Sequence, residues 1–268
     1  TTGYRGEQLE SHVTSWKGDH IGSLQASVNQ EATPMGTAGS VGLLRGKIEA
    51  TCVVGSGDSV ASFDIKRLLQ QHRDNGAKVT MALWEVDNPS EFGIVGLSTS
   101  KEGDVDGSLR SGFIRRFKEK PAPHEAFSNV INAGLYIIEP EVIDLIPEGE
   151  KFDFSKQLFP MVLEKGWPMY AKTIDGVWFD VGHPSELIRA QHTLIEQREN
   201  LPFPLPKGVF QDNSFVAEDA QVMGSLEGTV VSSRSVIGSG SQLTDVLVMP
   251  DCTIETECVL ENTVLGKG

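Results

Sequence analysis

The 268-residue chain is short of cysteine, positive charge and long apolar runs, and each shortage excludes something. Its three cysteines, Cys52, Cys252 and Cys258, show no zinc-type spacing and form no even set for a disulfide framework. They read as structural thiols of a protein from a reducing compartment, and a cytoplasmic location is expected. Aromatic residues make up 7% of the chain, and 23 lysines and arginines face 37 acidic residues, for a net charge of -14. Nucleic-acid binders normally carry a basic footprint, so this balance argues against one. No apolar run approaches the ~20 residues needed to span a bilayer, and no charged-then-apolar signal opens the chain. No membrane partner is therefore expected. An initiator methionine is also missing: Thr1-Thr2-Gly3 leads almost at once into Leu9, Val13 and Trp16, a stripe at helical spacing. The natural amino terminus is expected to lie further upstream.

What is present is ordinary in bulk and informative in order. Hydrophobic residues at 39% and charged residues at 22% fit a globular protein with one large core and a smaller second unit. Residues 1–200 alternate helical and strand patterns, the mark of an α/β domain. Helices are expected over Glu7–Trp16, from Gly36 toward Leu44, and over Phe63–His72, Pro140–Ile146, Ser155–Lys165 and Pro184–Glu199. Strands are expected over Leu24–Asn29, Thr51–Val54, Val79–Val86, Ile94–Leu97, Phe113–Phe117 and Val130–Ile138, with a strand pair at Met169–Ile174 and Val177–Phe179. Residues 201–208 begin with alternating prolines, Leu201-Pro202-Phe203-Pro204-Leu205-Pro206, and read as a stiff linker.

Residues 209–268 change character. Val230, Val236, Val248, Ile254 and Leu260 share one six-residue register in which Gln242 is the exception, with Leu243 beside it. Val216 and Val222 hold the same period in an earlier phase, offset near Met223–Gly228. A six-residue aliphatic period suits neither an amphipathic helix nor an alternating strand; it fits a hexapeptide β-helix, one short strand and turn per repeat.

Short polar motifs punctuate the α/β part. Asp58, after Gly55-Ser56-Gly57, and Asp180, in Trp178-Phe179-Asp180-Val181-Gly182, each end an apolar strand. In open parallel sheets ligands bind beyond the carboxyl ends of strands, and two aspartates brought together there can hold Mg²⁺. A lone strand-end aspartate, by contrast, ordinarily caps a turn. Lys120, in Glu119-Lys120-Pro121, can hold an anionic oxygen while Glu119 accepts hydrogen bonds from sugar hydroxyls. Alternatively Arg115, Arg116, Lys118 and Lys120 form a solvated basic edge. Gly36 and Gly39 in Met35-Gly36-Thr37-Ala38-Gly39 allow close approach of a flat base beside free helix N–H groups, or mark a tight turn. Gly93 makes room for a sugar or marks a bulge. Asn132 offers its amide to a sugar hydroxyl or satisfies nearby backbone; Tyr136 reads as a core aromatic. His72 and His192 read as structural, and His183 beside Asp180 has no partner for a relay. No Ser/His/Asp or Cys/His arrangement suggests a covalent nucleophile.

In order and spacing these motifs, with Phe117-Lys118-Glu119-Lys120-Pro121, Asn132-Ala133-Gly134-Leu135-Tyr136 and the appended repeats, resemble the sugar-1-phosphate nucleotidyltransferases. The likeness covers most of residues 24–268 and is greatest to mannose-1-phosphate guanylyltransferases and their glucose-1-phosphate relatives with hexapeptide tails. It implies a Rossmann-like α/β nucleotidyltransferase domain followed by a left-handed β-helix. It also implies nucleobase contacts at Gly36 and Thr37, Mg²⁺ ligands at Asp58 and Asp180, sugar contacts at Gly93, Glu119 and Asn132, and a phosphate contact at Lys120. The partners implied are a nucleoside triphosphate and a sugar 1-phosphate, and a homo-oligomer is expected. Guanine with mannose is the first expectation; thymine or uracil with glucose, or a non-catalytic regulatory subunit of the same fold, are the alternatives. Two departures stand out. Ser56-Gly57-Asp58 replaces the family's usual Asn-Gly-Asp, and the family's glycine-rich triphosphate loop and the strand before it lie upstream of everything in these residues. The chain by itself is therefore expected to be inactive or severely impaired.

Overall fold

The run Val79–Leu83 is buried residue by residue, as a strand covered on both faces must be. It lies inside a six-stranded sheet in the computed structural model, which describes residues 1–3, 5–15, 25–211 and 213–267. Among the described residues the strands before residue 181 are β1 (Cys52–Gly55), β2 (Ser59–Ala61), β3 (Val79–Glu85), β4 (Gly93–Ser98), β5 (Ser111–Glu119), β6 (Val130–Ile138), β7 (Met169–Thr173) and β8 (Trp178–Asp180). The chain forms two compact units. One comprises residues 1–55 and 64–173; the other comprises 56–63 and 174–268. Residues 174–200 and the segment carrying Asp58 thus group with the repeats in space.

The first unit holds the sheet β1-β6-β3-β7-β5-β4. It is mixed: β3 and β7 run parallel, whereas β1–β6, β3–β6, β4–β5 and β5–β7 are antiparallel. The strand-end rule for open parallel sheets therefore does not carry over here as the sequence suggested. Helices Gly36–Gly42, Ile65–Asp74, Pro140–Ile143 and Phe159–Glu164 accompany it, the last preceded by one π-helical turn over Phe154–Leu158. Asp64 starts Ile65–Asp74 by accepting from the Arg67 N–H, a standard N-cap. That helix buries Leu68 and His72. Against β3, Met81 pairs with Tyr136 but Leu83 with Asn132, so β6 carries a bulge over residues 133–135. Bulges often sit beside functional sites because they re-aim side chains.

Several expectations shift. Helix Gly6–Ser15 forms, but Leu9 is exposed, and Trp16 lies outside the described residues, as does Leu24. Residues 25–29 form no strand; Gln30 makes only an isolated bridge to Thr2. Helix Pro140–Ile143 is one turn, and Arg45 hydrogen-bonds the carbonyls of Ile143 and Ile146 where a longer helix was expected. The expected pair at 169–179 does not form: β7 joins β3 and β5, while β8 pairs antiparallel with β2 in the other unit.

In the second unit, residues 214–265 form short parallel strands stacked as a solenoid, the architecture of a left-handed β-helix. Successive strands pair at offsets of 15 and then 17 residues, as in Val216↔Val231, Val222↔Ile237, Leu226↔Leu243 and Ile237↔Ile254. Three columns fill the interior: Val216/Val231/Val248/Leu265, Val222/Ile237/Ile254 and Leu226/Leu243/Leu260. The six-residue period is real, but its register is one residue off in the early coil. Val231, Ile237 and Leu243 point inward, while Val230 and Val236 are half-buried and Gln242 is exposed. A five-residue step from Leu243 to Val248 then restores the predicted phase, which is why Gln242 looked like an exception.

Candidate functional site

The predicted site residues fall in two groups, one in each unit. In the sheet unit the starting point is Gly36, at φ +74, a conformation glycine adopts without penalty. A Cβ there would lie 2.6 Å from the Phe152 carbonyl oxygen. That same carbonyl accepts hydrogen bonds from the Ala38 and Gly39 N–H groups at 3.0 and 2.9 Å. Those two helix-start donors are therefore engaged, contrary to the expectation of free N–H groups. Thr37 Oγ1 donates to Asp153 Oδ2 at 3.0 Å and accepts from the Phe154 N–H at 3.0 Å. Asp153 also caps the π turn, accepting the Lys156 N–H on Oδ1. Residues 152–155, none of them a site candidate in the sequence, are thus clamped onto the Gly36–Gly39 turn.

Ser155 continues the network. Asn132 Nδ2 donates to Tyr136 Oη at 2.7 Å and lies 3.4 Å from Ser155 Oγ, while its Oδ1 accepts the Gly134 N–H at 2.9 Å within the β6 bulge. Gly134 holds φ +75, which lets the bulge turn back on Asn132. Tyr136 is buried among Phe154 and Phe159, with ring centroids 5.0 Å away in both cases. Burial pushes its phenol up to about 12; the Asn132 hydrogen bond opposes the rise, and the negative charges of Asp153 and Glu119 add to it.

Glu119 lies opposite Gly93 across β4 and β5. A Cβ on Gly93 would come within 2.8 Å of Glu119 Oε2. The next residue, Lys120, takes φ +42 while its N–H donates to the Phe92 carbonyl at 2.9 Å. A left-handed lysine before a proline is doubly disfavoured, and such strain clusters at functional sites. Its neighbours in the basic run are occupied: Arg115 with the Lys101 carbonyl, Arg116 on the Phe127 ring at 4.6 Å, and Lys118 with Glu125 at 2.6 Å. Lys120 is exposed, and its amine has no ion pair or hydrogen bond among the described residues. The run faces water, as the solvated-edge reading has it, at Arg115, Arg116 and Lys120, with Lys118 half-buried; of the four, Lys120 is the one whose cation has no partner among the described residues.

The second group stands on the β2–β8 ribbon. Asp58 sits in the turn just before β2, and Asp180 closes β8 opposite Ser59. The Val181 N–H donates to the Asp58 carbonyl at 3.2 Å, so the two aspartates occupy adjacent rows at one end of the ribbon. Asp58 Oδ1 accepts from Ser56 Oγ at 2.6 Å, and Asp180 Oδ1 from the Gly182 N–H at 3.3 Å. Both residues are exposed, and the second oxygen of each carboxylate has no protein partner among the described residues. An oxygen-only pair of this kind fits Mg²⁺, which keeps most of its waters and needs only one or two carboxylates. No cluster of three or more histidine, cysteine or acidic ligands occurs among the described residues.

His72 and His192 make the structural contacts expected of them. His72 bridges Thr80 Oγ1 and Glu139 Oε1, both at 2.9 Å, and His192 contacts the Gly228 carbonyl at 2.8 Å. His183 caps helix Pro184–Glu196. The three cysteines are free thiols; burial foremost, with Glu139, pushes Cys52 upward. No helix among the described residues is long and apolar enough to cross a membrane.

Comparison with known proteins bears on the family and the fold. The nucleotidyl transferase family model matches residues 1–197, and a GlmU-like C-terminal hexapeptide model matches 207–268. Mannose-1-phosphate guanylyltransferase of Mycobacterium tuberculosis is 31% identical over 245 residues, covering 89% of this chain and 63% of the relative. UTP–glucose-1-phosphate uridylyltransferase of Synechocystis is 31% identical over 223 residues, covering 80% of this chain and 54% of that protein. The chain thus spans between about half and just under two thirds of these relatives' length. The solved structure of HddC from Yersinia pseudotuberculosis, complexed with GMP-PN, shares the fold at a TM-score of 0.54 and 21% identity, covering 70% of this chain and 74% of its own. With a family model matched over most of its length and the motif residues set out as above, the chain belongs to the nucleotidyl transferase family.

Proposed function

We propose that the protein transfers a nucleotidyl group from a nucleoside triphosphate to a sugar 1-phosphate, giving an NDP-sugar and pyrophosphate. The observation that carries this reading is Lys120: a strained, exposed cation without a partner, next to a carboxylate that can accept hydrogen bonds from a sugar. Lys120 holds the sugar phosphate as a point charge, Glu119 and Asn132 face sugar hydroxyls, and Gly36 and Thr37 line the base. A phosphate oxygen of the sugar 1-phosphate attacks the α-phosphorus. The new P–O bond forms as the bond from the α-phosphorus to the bridging oxygen breaks, and that oxygen leaves with pyrophosphate. Charge neutralisation and positioning supply the rate, without a covalent enzyme intermediate. Mg²⁺, held by Asp58 and Asp180, would neutralise charge on the triphosphate when bound.

GTP with mannose 1-phosphate is the substrate pair we favour, because of the likeness to the mycobacterial guanylyltransferase. UTP or dTTP with glucose 1-phosphate is the second reading, favoured by the equally similar uridylyltransferase. We further propose a cytoplasmic homo-oligomer. The test is pyrophosphate release by the full-length protein across a matrix of triphosphates and sugar phosphates. Asp58→Ala is expected to abolish turnover and leave the fold intact. Near-wild-type turnover in that variant refutes the assignment; no turnover in the wild type with any pair points to a non-catalytic subunit.

A further inference from the structure

The reason for a glycine at position 93 can be found by elimination. Its φ lies outside the left-handed range, so the backbone there does not demand glycine. The β4–β5 ladder is irregular between Gly96 and Leu97, three residues further on, so Gly93 marks no bulge. Around a Cβ built at Gly93, the contacts within 4 Å are both with the Glu119 carboxyl group, Oε2 at 2.8 Å and Cδ at 3.9 Å. Glu119 sits directly across the strand pair, and its carboxylate has no hydrogen bond or ion pair among the described residues. Its negative charge also adds to the rise of the buried Tyr136 phenol.

We infer that Gly93 is a positioning residue: the missing side chain is the seat in which the Glu119 carboxylate lies, and the glycine acts on the sugar through Glu119 rather than by making room for it. This rests on the reading of Glu119 as a sugar-hydroxyl acceptor. A methyl group at position 93 meets only the end of a flexible side chain, so the carboxylate swings away at little cost to the fold. Function and stability therefore separate at this position.

The experiment is a double-mutant cycle in the full-length protein with Gly93→Ala, Glu119→Asp and both together. Gly93→Ala is expected to keep the wild-type melting temperature and the KM for the triphosphate. Its KM for the sugar 1-phosphate is expected to rise about tenfold, the loss of one good hydrogen bond to a charged group. Glu119→Asp withdraws the carboxylate by one methylene and removes the clash, so the double variant is expected to be no worse than Glu119→Asp alone. Independent, multiplying losses overturn the inference, because they mean that Gly93 serves the sugar directly. A crystal structure of Gly93→Ala separates the two levels of the argument. A displaced Glu119 carboxylate on an unchanged strand pair supports the seat even if the wild type proves inactive, which would refute only the proposed reaction. An undisplaced carboxylate overturns the seat whatever the activity.

Discussion

The sheet unit and the solenoid solve the same problem, the burial of aliphatic strands, in opposite ways. In the solenoid each strand meets a partner 15 or 17 residues away, and the interior is three columns of like residues. In the sheet unit β3 is paired with β6 and β7, and Thr37 is tied to Asp153, so contacts span tens to more than a hundred residues. Left-handed backbone shows the same contrast. The solenoid places Arg234, Asp245, Asp251, Glu257 and Asn262 at positive φ, alongside Gly228 and Gly240. The Gly228, Asp245 and Asn262 corners recur at 17-residue intervals, as do Arg234 and Asp251, and Gly240 and Glu257. There the corner is set by the coil, and the residue type is negotiable. At Gly36 a carbonyl fills the space a side chain would need, so the residue type is not negotiable.

The largest test of this contrast is a pair of core substitutions. Ile237→Asp places a charge in the middle of a solenoid column, and Phe159→Ala empties the aromatic cluster under Tyr136; both sites are fully buried. Each is expected to cost about 4 kcal/mol. Because stability in a solenoid is a nearest-neighbour sum, Ile237→Asp should speed amide exchange around Val222 and Ile254 and leave Val79–Leu83 slow. Equal acceleration in both places would break the comparison.

Next in size is an alkaline test. The Tyr136 phenol is neutral in the folded unit up to about pH 12, whereas in the unfolded chain it ionises near 10. A group raised in this way contributes stability that is complete below pH 10 and is lost as the pH rises toward 12, about 2.5 kcal/mol in all. The solenoid contains no tyrosine and has no such contribution. Ultraviolet titration of phenolate should show one transition near 12 that Tyr136→Phe removes; titration of every tyrosine near 10 would contradict the buried network.

Smaller effects sharpen the contrast in backbone conformation. Gly36→Ala combines a positive φ with an approach of 2.6 Å to the Phe152 carbonyl and is expected to cost ~1–3 kcal/mol in chemical denaturation. The reverse change at an exposed solenoid corner, Glu257→Gly at φ 59, relieves left-handed strain but loosens the unfolded chain. Its net effect should stay within about 1 kcal/mol and be favourable or neutral. A large loss at Glu257 would show that its side chain supports the coil.

How far each region could be read before folding follows from the same difference. The solenoid was legible because its period is local, and the error of one residue at Val230 and Val236 arose because 17-residue coils take a five-residue step that no fixed period predicts. Strands β3 and β6 announced themselves by apolar runs, but the mixed strand order and the separation of β7 from β8 depend on pairing partners distant in sequence. In the candidate site, Glu119, Lys120, Asn132, Asp58 and Asp180 were readable from residue type and position in their motifs. Asp153 and Ser155 were not, since nothing local ties them to Thr37 and Asn132.

By itself, then, the sequence determined that Val79–Val86 and Val130–Ile138 form strands, where the repeats lie, and which polar residues stand in motifs within or beside strands, because period, turn chemistry and charge act over a few residues. Only the tertiary structure decided that the helix-start donors beside Gly36 are already engaged, that three of the four basic residues near Glu119 have partners, and that the open face of Gly93 holds a carboxylate. Those outcomes turn on which groups meet across the sheet, and a close approach of 3 Å between residues remote in the chain leaves no local mark in the sequence.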